Sequence, residues 1–316
     1  MRSGVTPDSA LRMQFRTPGV RLLVAGLCVN IRSDVSAVIE QFLQMYVGHK
    51  LEAGAGSDDF RIDISYTDPL QRLLRRRTRL LIEDDAPFHP LPHRLAYILI
   101  EAGLNWCISA TASNVVLHAG VVERGGVAVV LPAPSGSGKS TLCAALVTRG
   151  WRLLSDELAV LRPADGRLQP VARPISLKNE SIALIRRWAP SAHFSPVFTG
   201  TIRGDIAFLR PPAESVARAA ETVAPALIVS PAYQAAAPVT LQPLGKSETF
   251  RLLARSCMDY HTTQRCGFDT LARMVDSCAA YRLSYGTLAE GVEAMETLLA
   301  RAQTGHANGR PATATA

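Results

Sequence analysis

The chain has 316 residues, 47% hydrophobic and 19% charged, a globular composition with length for one large domain or two ordinary ones. Its net charge of +7 is a mild excess and aromatics make up only 6%; with no DNA- or RNA-binding module visible, nucleic-acid recognition is disfavoured. The six cysteines (Cys28, Cys107, Cys143, Cys257, Cys266 and Cys278) form no CxxC pair and no histidine cluster has zinc spacing, so a reduced, cytoplasmic chain is expected.

Residues 1–18 read as irregular. The apolar run "VRLLVAGLCV" (20–29) is too short to span a bilayer and is followed by no small-x-small cleavage site, so no membrane association is expected. "GVRLLVAGLCVNI" reads instead as a single buried strand. "SDVSAVIEQFLQMY" reads as a helix capped by Ser33, with Val38, Ile39, Phe42 and Leu43 on one face. "FRIDISY" alternates like a half-buried strand. The basic run from Arg72 to Arg79 reads as a solvated face, with contact to a phosphate or an acidic partner as the alternative. A Pro-rich turn at "APFHPLPHRL" leads into a buried helix, "HRLAYILIEAGLNWCISAT".

"NVVLHAGVVERGGVAVVLPAPSG" predicts two apolar strands joined at Arg124-Gly125-Gly126. The second strand runs into Ala133-Pro134-Ser135-Gly136-Ser137-Gly138-Lys139-Ser140, a phosphate-binding loop of the G-x-x-x-x-G-K-[ST] type with Ala133 in place of the first glycine. Alanine is acceptable there provided its φ is negative. Successive backbone N–H groups and the helix start make a positive concavity for phosphate. Lys139 is placed to reach the β- and γ-phosphates and the Ser140 hydroxyl to bind Mg²⁺; Thr141 completes the nucleotide-contacting set. "STLCAALVTRG" then predicts a helix with Leu142, Ala145 and Leu146 inward, ending at Gly150.

Asp156 follows Lys139 by 17 residues, room for one short helix, a glycine turn and one strand, "WRLLSDELAVL". A right-handed crossover would set Asp156 and Glu157 beside the loop, one carboxylate toward a metal and the other toward the proton of an incoming hydroxyl. Beyond lie "RPISLKNESIALIRRW", the turn-rich "TGTIRGDIAFLRPP", a strand at "APALIVSP", and helices over 248–256, 267–280 and "YGTLAEGVEAMETLLARA". Residues 303–316 read as a disordered tail.

"LHAGVVERGGVAVVLPAPSGSGKS" and "RGWRLLSDE" together resemble the HPr kinase/phosphorylase family, and "LNWCISA", "RPISLKNESI", "RGDIAFLRPP" and "GFDTLARMVDSC" resemble its HprK-related kinase A subgroup over residues 85–300. The resemblance implies an α/β fold of the HPr kinase C-terminal type, related to phosphoenolpyruvate carboxykinase, over residues 106–302; the smaller α+β region over 1–105 before it is a candidate for recruiting the acceptor, with no motif that names a chemistry. The resemblance also implies ATP and Mg²⁺ as cofactors and a serine on a small protein or peptide, HPr-like or co-encoded, as acceptor. By position, Asp156 is implied as the base, His118 as its helper and Lys139 as the phosphate-binding lysine. Ser140 and Glu157 fall on the metal side, with Asp156 and Glu157 exchangeable in role, and Arg203 in "IRG" falls on the nucleotide side. Thr201 stands where the family has an acidic residue, which weakens one metal contact and the phosphorolysis that goes with it. Lys178 is a candidate contact to nucleotide or acceptor. The alternatives are a small-molecule kinase, for example of free serine, on the same scaffold, and an ATP-binding regulatory module; whether the chain forms a homo-oligomer stays open.

Overall fold

The structure is a computed structural model describing residues 7–53, 56–67, 77–111, 113–258 and 260–307. The chain divides into two compact units, residues 1–110 with 195–206, and residues 111–194 with 207–316.

The first unit runs α1 (Pro7–Gln14), β1 (Val20–Val24), β2 (Leu27–Ser33), α2 (Ser36–Met45), β3 (Leu51–Ala53), β4 (Phe60–Tyr66), β5 (Arg77–Ile82), β6 (Leu91–Pro92) and α3 (Ala96–Ser109). Its sheet has the order β3-β1-β2-β4-β5-β6. Three expectations are corrected here. Part of the supposedly irregular N-terminus is helix α1. The supposed single strand is a hairpin, because Ala25 and Gly26 both take positive φ (54° and 80°), the conformation a two-residue hairpin turn needs. Ser33 does not cap α2; it ends β2, its hydroxyl donating to Ile64 O (3.0 Å) and accepting from Val35 N–H (3.1 Å). Helix α3 lies on the sheet through Gly103, where a Cβ would stand 2.8 Å from Leu80 Cδ1. Buried Glu101 on α3 accepts the hydroxyls of Tyr46 (3.0 Å) and Tyr97 (2.6 Å), so its carboxyl is hydrogen-bonded inside the core. Of the basic run, residues 72–76 lie outside the described residues and 77–79 begin β5.

The chain continues as β7 (Val115–Arg124), β8 (Val127–Pro132), α4 (Lys139–Val147), β9 (Arg152–Ser155), β10 (Leu158–Leu161), β11 (Leu168–Gln169), β12 (Ile175–Lys178), α5 (Glu180–Trp188), β13 (Phe198–Thr201), β14 (Gly204–Leu209), α6 (Ala213–Ala217), β15 (Pro225–Tyr233), β16 (Thr240–Pro243), α7 (Lys246–Ser256), α8 (Tyr260–Ser277), β17 (Ala279–Tyr285) and α9 (Leu288–Ala307). The main sheet of the second unit has the order β11-β10-β7-β8-β15-β17-β16, with β9 also on β7. A three-stranded sheet has the order β12-β14-β13, and β14 carries the chain from one unit into the other.

Both faces of the main sheet are covered. Val122, Val129 and Leu131 point to a core shared with α4, α5 and α9; Val121, Ala128 and Val130 point to one shared with α7 and α8. A strand buried on both faces is apolar throughout, which is why "VAVVLP" shows no alternation. Helix α4 is likewise buried nearly all round, residues 142–147 without exception, rather than along the expected inner stripe. Residues 279–280, expected in a helix, open β17, and α9 runs to Ala307, into the segment read as a disordered tail; residues 308–316 lie outside the described ones. No described helix is long and apolar enough to cross a membrane.

Candidate functional site

The site is built on three strands of the second unit. β7 and β8 form a hairpin through Gly125-Gly126, both at positive φ (59° and 83°). β8 ends at Pro132 and the phosphate-binding loop follows at once. Pro134, Ser135 and Gly136 are exposed, whereas Ala133 is buried and is not among the residues with positive φ, which meets the condition for alanine at that position. Gly136 (φ 87°) and Gly138 (φ 88°) turn the chain through conformations that L side chains resist. Gly138 caps α4, and Ser140 and Thr141, half-buried, occupy its first turn.

After α4 the chain returns as β9. β9 does not pair with β8; both are antiparallel to β7, so they run parallel to each other with β7 between. The expected single strand over 151–161 is broken at Asp156-Glu157 into β9 and β10, both laid along the same strand β7. The break is held by Ala119 N–H donating to Glu157 O (3.0 Å) and by Ser155 Oγ accepting Leu158 N–H (3.0 Å). It turns Asp156 off the strand, where its Oδ2 accepts Ser176 N–H from β12 (3.0 Å).

Gly120 on β7 is the meeting point. A Cβ there would lie 3.5 Å from Asp156 O and 3.6 Å from Lys139 Cγ. Lys139, 6% exposed, passes over this glycine, and its Nζ lies 3.0 Å from His118 Nε2. Burial pulls the Lys139 ammonium below its ordinary pKa, and the carboxylates of Asp156 and Glu157 resist. Burial pushes the Asp156 carboxyl up to about 6; Lys139 pulls it back, Glu157 adds to the rise, and the Ser140 hydroxyl and Ser176 N–H favour the anion. Lys178 stands two residues along β12 from Ser176, on the same side of the strand, and its charge is felt at Lys139.

Two buried polar atoms here have no hydrogen-bond partner, Ser137 Oγ and Asp156 Oδ1. A hydroxyl free to donate, beside a glycine cradle and a buried lysine, suits a polyphosphate, and an orphaned carboxylate oxygen suits a hard, oxygen-binding cation. No group of three or more His, Cys, Asp or Glu at metal-binding distance occurs among the described residues. Shared ligation with substrate phosphates is the usual habit of Mg²⁺.

No protein-family model matches the chain, and no curated protein is similar to it. Among solved structures, the Hpr(Ser) kinase/phosphatase from Coxiella burnetii matches at 15% identity and a TM-score of 0.26, over 58% of this chain and 96% of that one. At that score the likeness decides neither fold family nor activity.

The structure thus brings His118, Lys139, Asp156 and Glu157 together in one unit with the loop from Ala133 to Thr141. Arg203 belongs to the other unit, at the exposed tip of the β13–β14 hairpin. Its N–H donates to Thr201 Oγ1 (3.1 Å), so Thr201, in the place of an acidic residue, closes the turn. Three contributors escaped the sequence reading: Gly120, the Ser176 N–H, and the pair Tyr233 and Tyr285, whose side chains crowd Gly138. A backbone donor has no residue-type signal. Gly120 had one, a lone glycine inside an apolar strand, which marks close approach.

Proposed function

We propose that this chain is an ATP-dependent kinase of the HPr kinase type, transferring the γ-phosphate to a serine of a small protein or peptide. The observation that carries the reading is that Gly120 lets the cradle lysine, Lys139, lie against the backbone of Asp156, whose buried carboxyl has a raised pKa and feels the lysine's charge. The backbone N–H groups from Gly136 to Thr141 would take the phosphates, with the Lys139 ammonium opposite their charge. As the ammonium donates to His118 Nε2, the imidazole proton sits on Nδ1, and the histidine holds Lys139 in place. Asp156 accepts the serine hydroxyl proton as the Oγ–P bond forms and the bond to the departing ADP breaks. A carboxylate titrating near 6 is ionised at neutral pH yet basic enough for that task. Ser140, Asp156 and Glu157 are the residues to hold Mg²⁺, which when bound would neutralise phosphate charge.

The reading extends to a catalytic domain over 106–302, a partner-recruiting N-terminal region, and a cytoplasmic setting. Lys50 pairs with Glu52 (2.9 Å) and Lys246 with Asp276 (2.6 Å), whereas no salt bridge among the described residues involves Lys178. That leaves its ammonium available to an incoming acceptor. The test is incubation with Mg-ATP and small carrier proteins encoded alongside this chain, read by mass spectrometry. Phosphoserine on such a protein, with little on free serine, is the expected result; labelling of free serine or another metabolite alone points to a small-molecule kinase, and no transfer at all to a binding module.

A further inference from the structure

Tyr233 is the last residue of β15 and is 49% exposed, while its neighbour Tyr285, the last residue of β17, is 1% exposed. Their ring centroids are 5.8 Å apart at an interplanar angle of 56°, so the inner tyrosine backs the outer one. The outer one is tied to the phosphate-binding loop: Tyr233 N–H donates to Ser137 O (3.0 Å). Gly138 is close enough that a Cβ there would stand 2.9 Å from Tyr233 Cβ and 2.7 Å from the Tyr285 hydroxyl.

The topology explains the proximity. β8, β15 and β17 are adjacent and parallel. The loop, Tyr233 and Tyr285 therefore all leave the carboxyl ends of neighbouring strands, the edge at which open α/β sheets bind ligands. Burying Tyr285 and leaving Tyr233 half open places a rigid aromatic ring on the rim of a cradle whose backbone serves phosphate only.

We infer that Tyr233 is the platform on which the nucleobase of the bound nucleotide stacks. The inference rests on the phosphate-cradle reading and adds to it the recognition of the nucleoside half. A triphosphate held by Gly136–Thr141 must send its ribose and base out along the rim. With its backbone tied to Ser137 and its ring backed by Tyr285, Tyr233 is preorganised there, so little ordering is lost on binding. Stacking reads the flat face common to all bases and so calls for no polar side chain beside the ring. The residues that follow, Gln234-Ala235-Ala236-Ala237, are mostly small, and the Gln234 N–H is already given to Tyr285 O (3.1 Å).

The experiment compares two ligands on the full chain by calorimetric titration with Mg²⁺: ATP and inorganic tripolyphosphate, which lacks the nucleoside. Tyr233→Ala is expected to bind ATP about tenfold more weakly, the scale of one lost base–aromatic stack. Its tripolyphosphate affinity should stay within about twofold of the wild type, and Tyr233→Phe should keep both affinities. Wild-type affinity for ATP in Tyr233→Ala, or a parallel loss of both ligands, overturns the platform. Should the wild type bind neither ligand, the cradle reading falls and this inference with it; binding of both by wild type and Tyr233→Ala alike removes the platform alone.

Discussion

Lys139 Nζ stands 3.0 Å from His118 Nε2, so the loop lysine is held by an imidazole from β7, the hairpin partner of the strand that enters the loop. The spacing between them follows from the hairpin: β7 runs up to Gly125-Gly126 and β8 returns to the loop, which sets His118 and the start of α4 at the same end of the sheet. In this arrangement His118 positions a cation that bears on the transferring phosphate. His118→Ala should lower kcat by about 10² while leaving the KM for ATP within a few-fold, since the interaction matters most as charge develops. Steady-state kinetics decides it; a change in KM alone would make His118 a binding residue.

Asp156 is a buried carboxyl raised to about 6 from an ordinary 3.8, mainly by burial. The folded state therefore binds this proton more tightly than the unfolded chain does. The protonated form's stabilisation is complete below about pH 4 and is lost as pH rises through about 6, so at neutral pH the ionised carboxylate costs on the order of 3 kcal/mol. Asp156→Asn should accordingly raise the melting temperature at pH 7 without ligand, and the gain should vanish near pH 4. The same substitution should lower transfer by about 10² or more, and wild-type kcat/KM should fall on the acid side with an apparent pKa near 6. Thermal melts at the two pH values and a pH–rate profile test both halves.

Gly138 and Gly126 have nearly the same φ (88° and 83°) in different surroundings, which separates backbone strain from crowding. A Cβ at Gly126 meets nothing within 4 Å, whereas one at Gly138 runs into Tyr285 and Tyr233. Gly126→Ala should cost only the strain of a left-handed alanine, about 1–2 kcal/mol of stability, with nucleotide binding intact. Gly138→Ala should cost that and also weaken nucleotide binding by at least about tenfold as the loop is displaced. Denaturant melts paired with ATP titration check the pair.

Much of this was legible in the residues, and the failures share a cause. The hairpin, the loop and the helix after it carried local signals: Gly125-Gly126, the glycine-rich motif and Gly150. The reading of residues 151–161 as one strand missed the break at Asp156-Glu157, because beside the local Ser155 Oγ contact the break is held by bonds from Ala119 and Ser176, distant in sequence. β17 was hidden for the same reason. "AAYRLSY" has little periodicity of its own and becomes a strand by pairing parallel to β15. Tyr233 and Tyr285 acquire their meaning only from that pairing.

Glu157 shares the break with Asp156 but is half-buried, with its N–H directed to Ser155 Oγ (3.3 Å). A more open carboxylate beside the loop suits a metal-side role. Glu157→Gln should raise the Mg²⁺ concentration required for half-maximal transfer by about tenfold with kcat largely retained at saturating metal. Titrating activity against Mg²⁺ measures this. If Asp156→Asn shifts the metal requirement instead and Glu157→Gln abolishes transfer, the two roles are exchanged.

Arg152, at the start of β9, shows how the strand bearing Asp156 is anchored. Its guanidinium is 4% exposed and pairs with Glu123 (3.4 Å), itself 5% exposed, on the neighbouring β7. Its other arm donates to Arg218 O (2.6 Å) and Glu221 O (2.7 Å), just beyond α6. Next along, Leu153 N–H donates to Ser215 Oγ in α6 (2.8 Å), so helix and strand are fastened at two points. Arg152→Ala would leave buried Glu123 with the more exposed Arg218 (3.6 Å) as its remaining counter-charge and would strip two carbonyls of their donor. Breaking a buried pair from one side costs about 3–5 kcal/mol. Replacing both members, Arg152→Met with Glu123→Leu, removes the stranded charge and should recover much of that loss. Urea melts of the single and double variants test the pairing. Because β9 delivers Asp156 to the site, kcat of the single variant should fall more than its affinity for ATP, whose cradle hangs from β8; equal stability in single and double variants would mean that the anchor is the Ser215 contact instead.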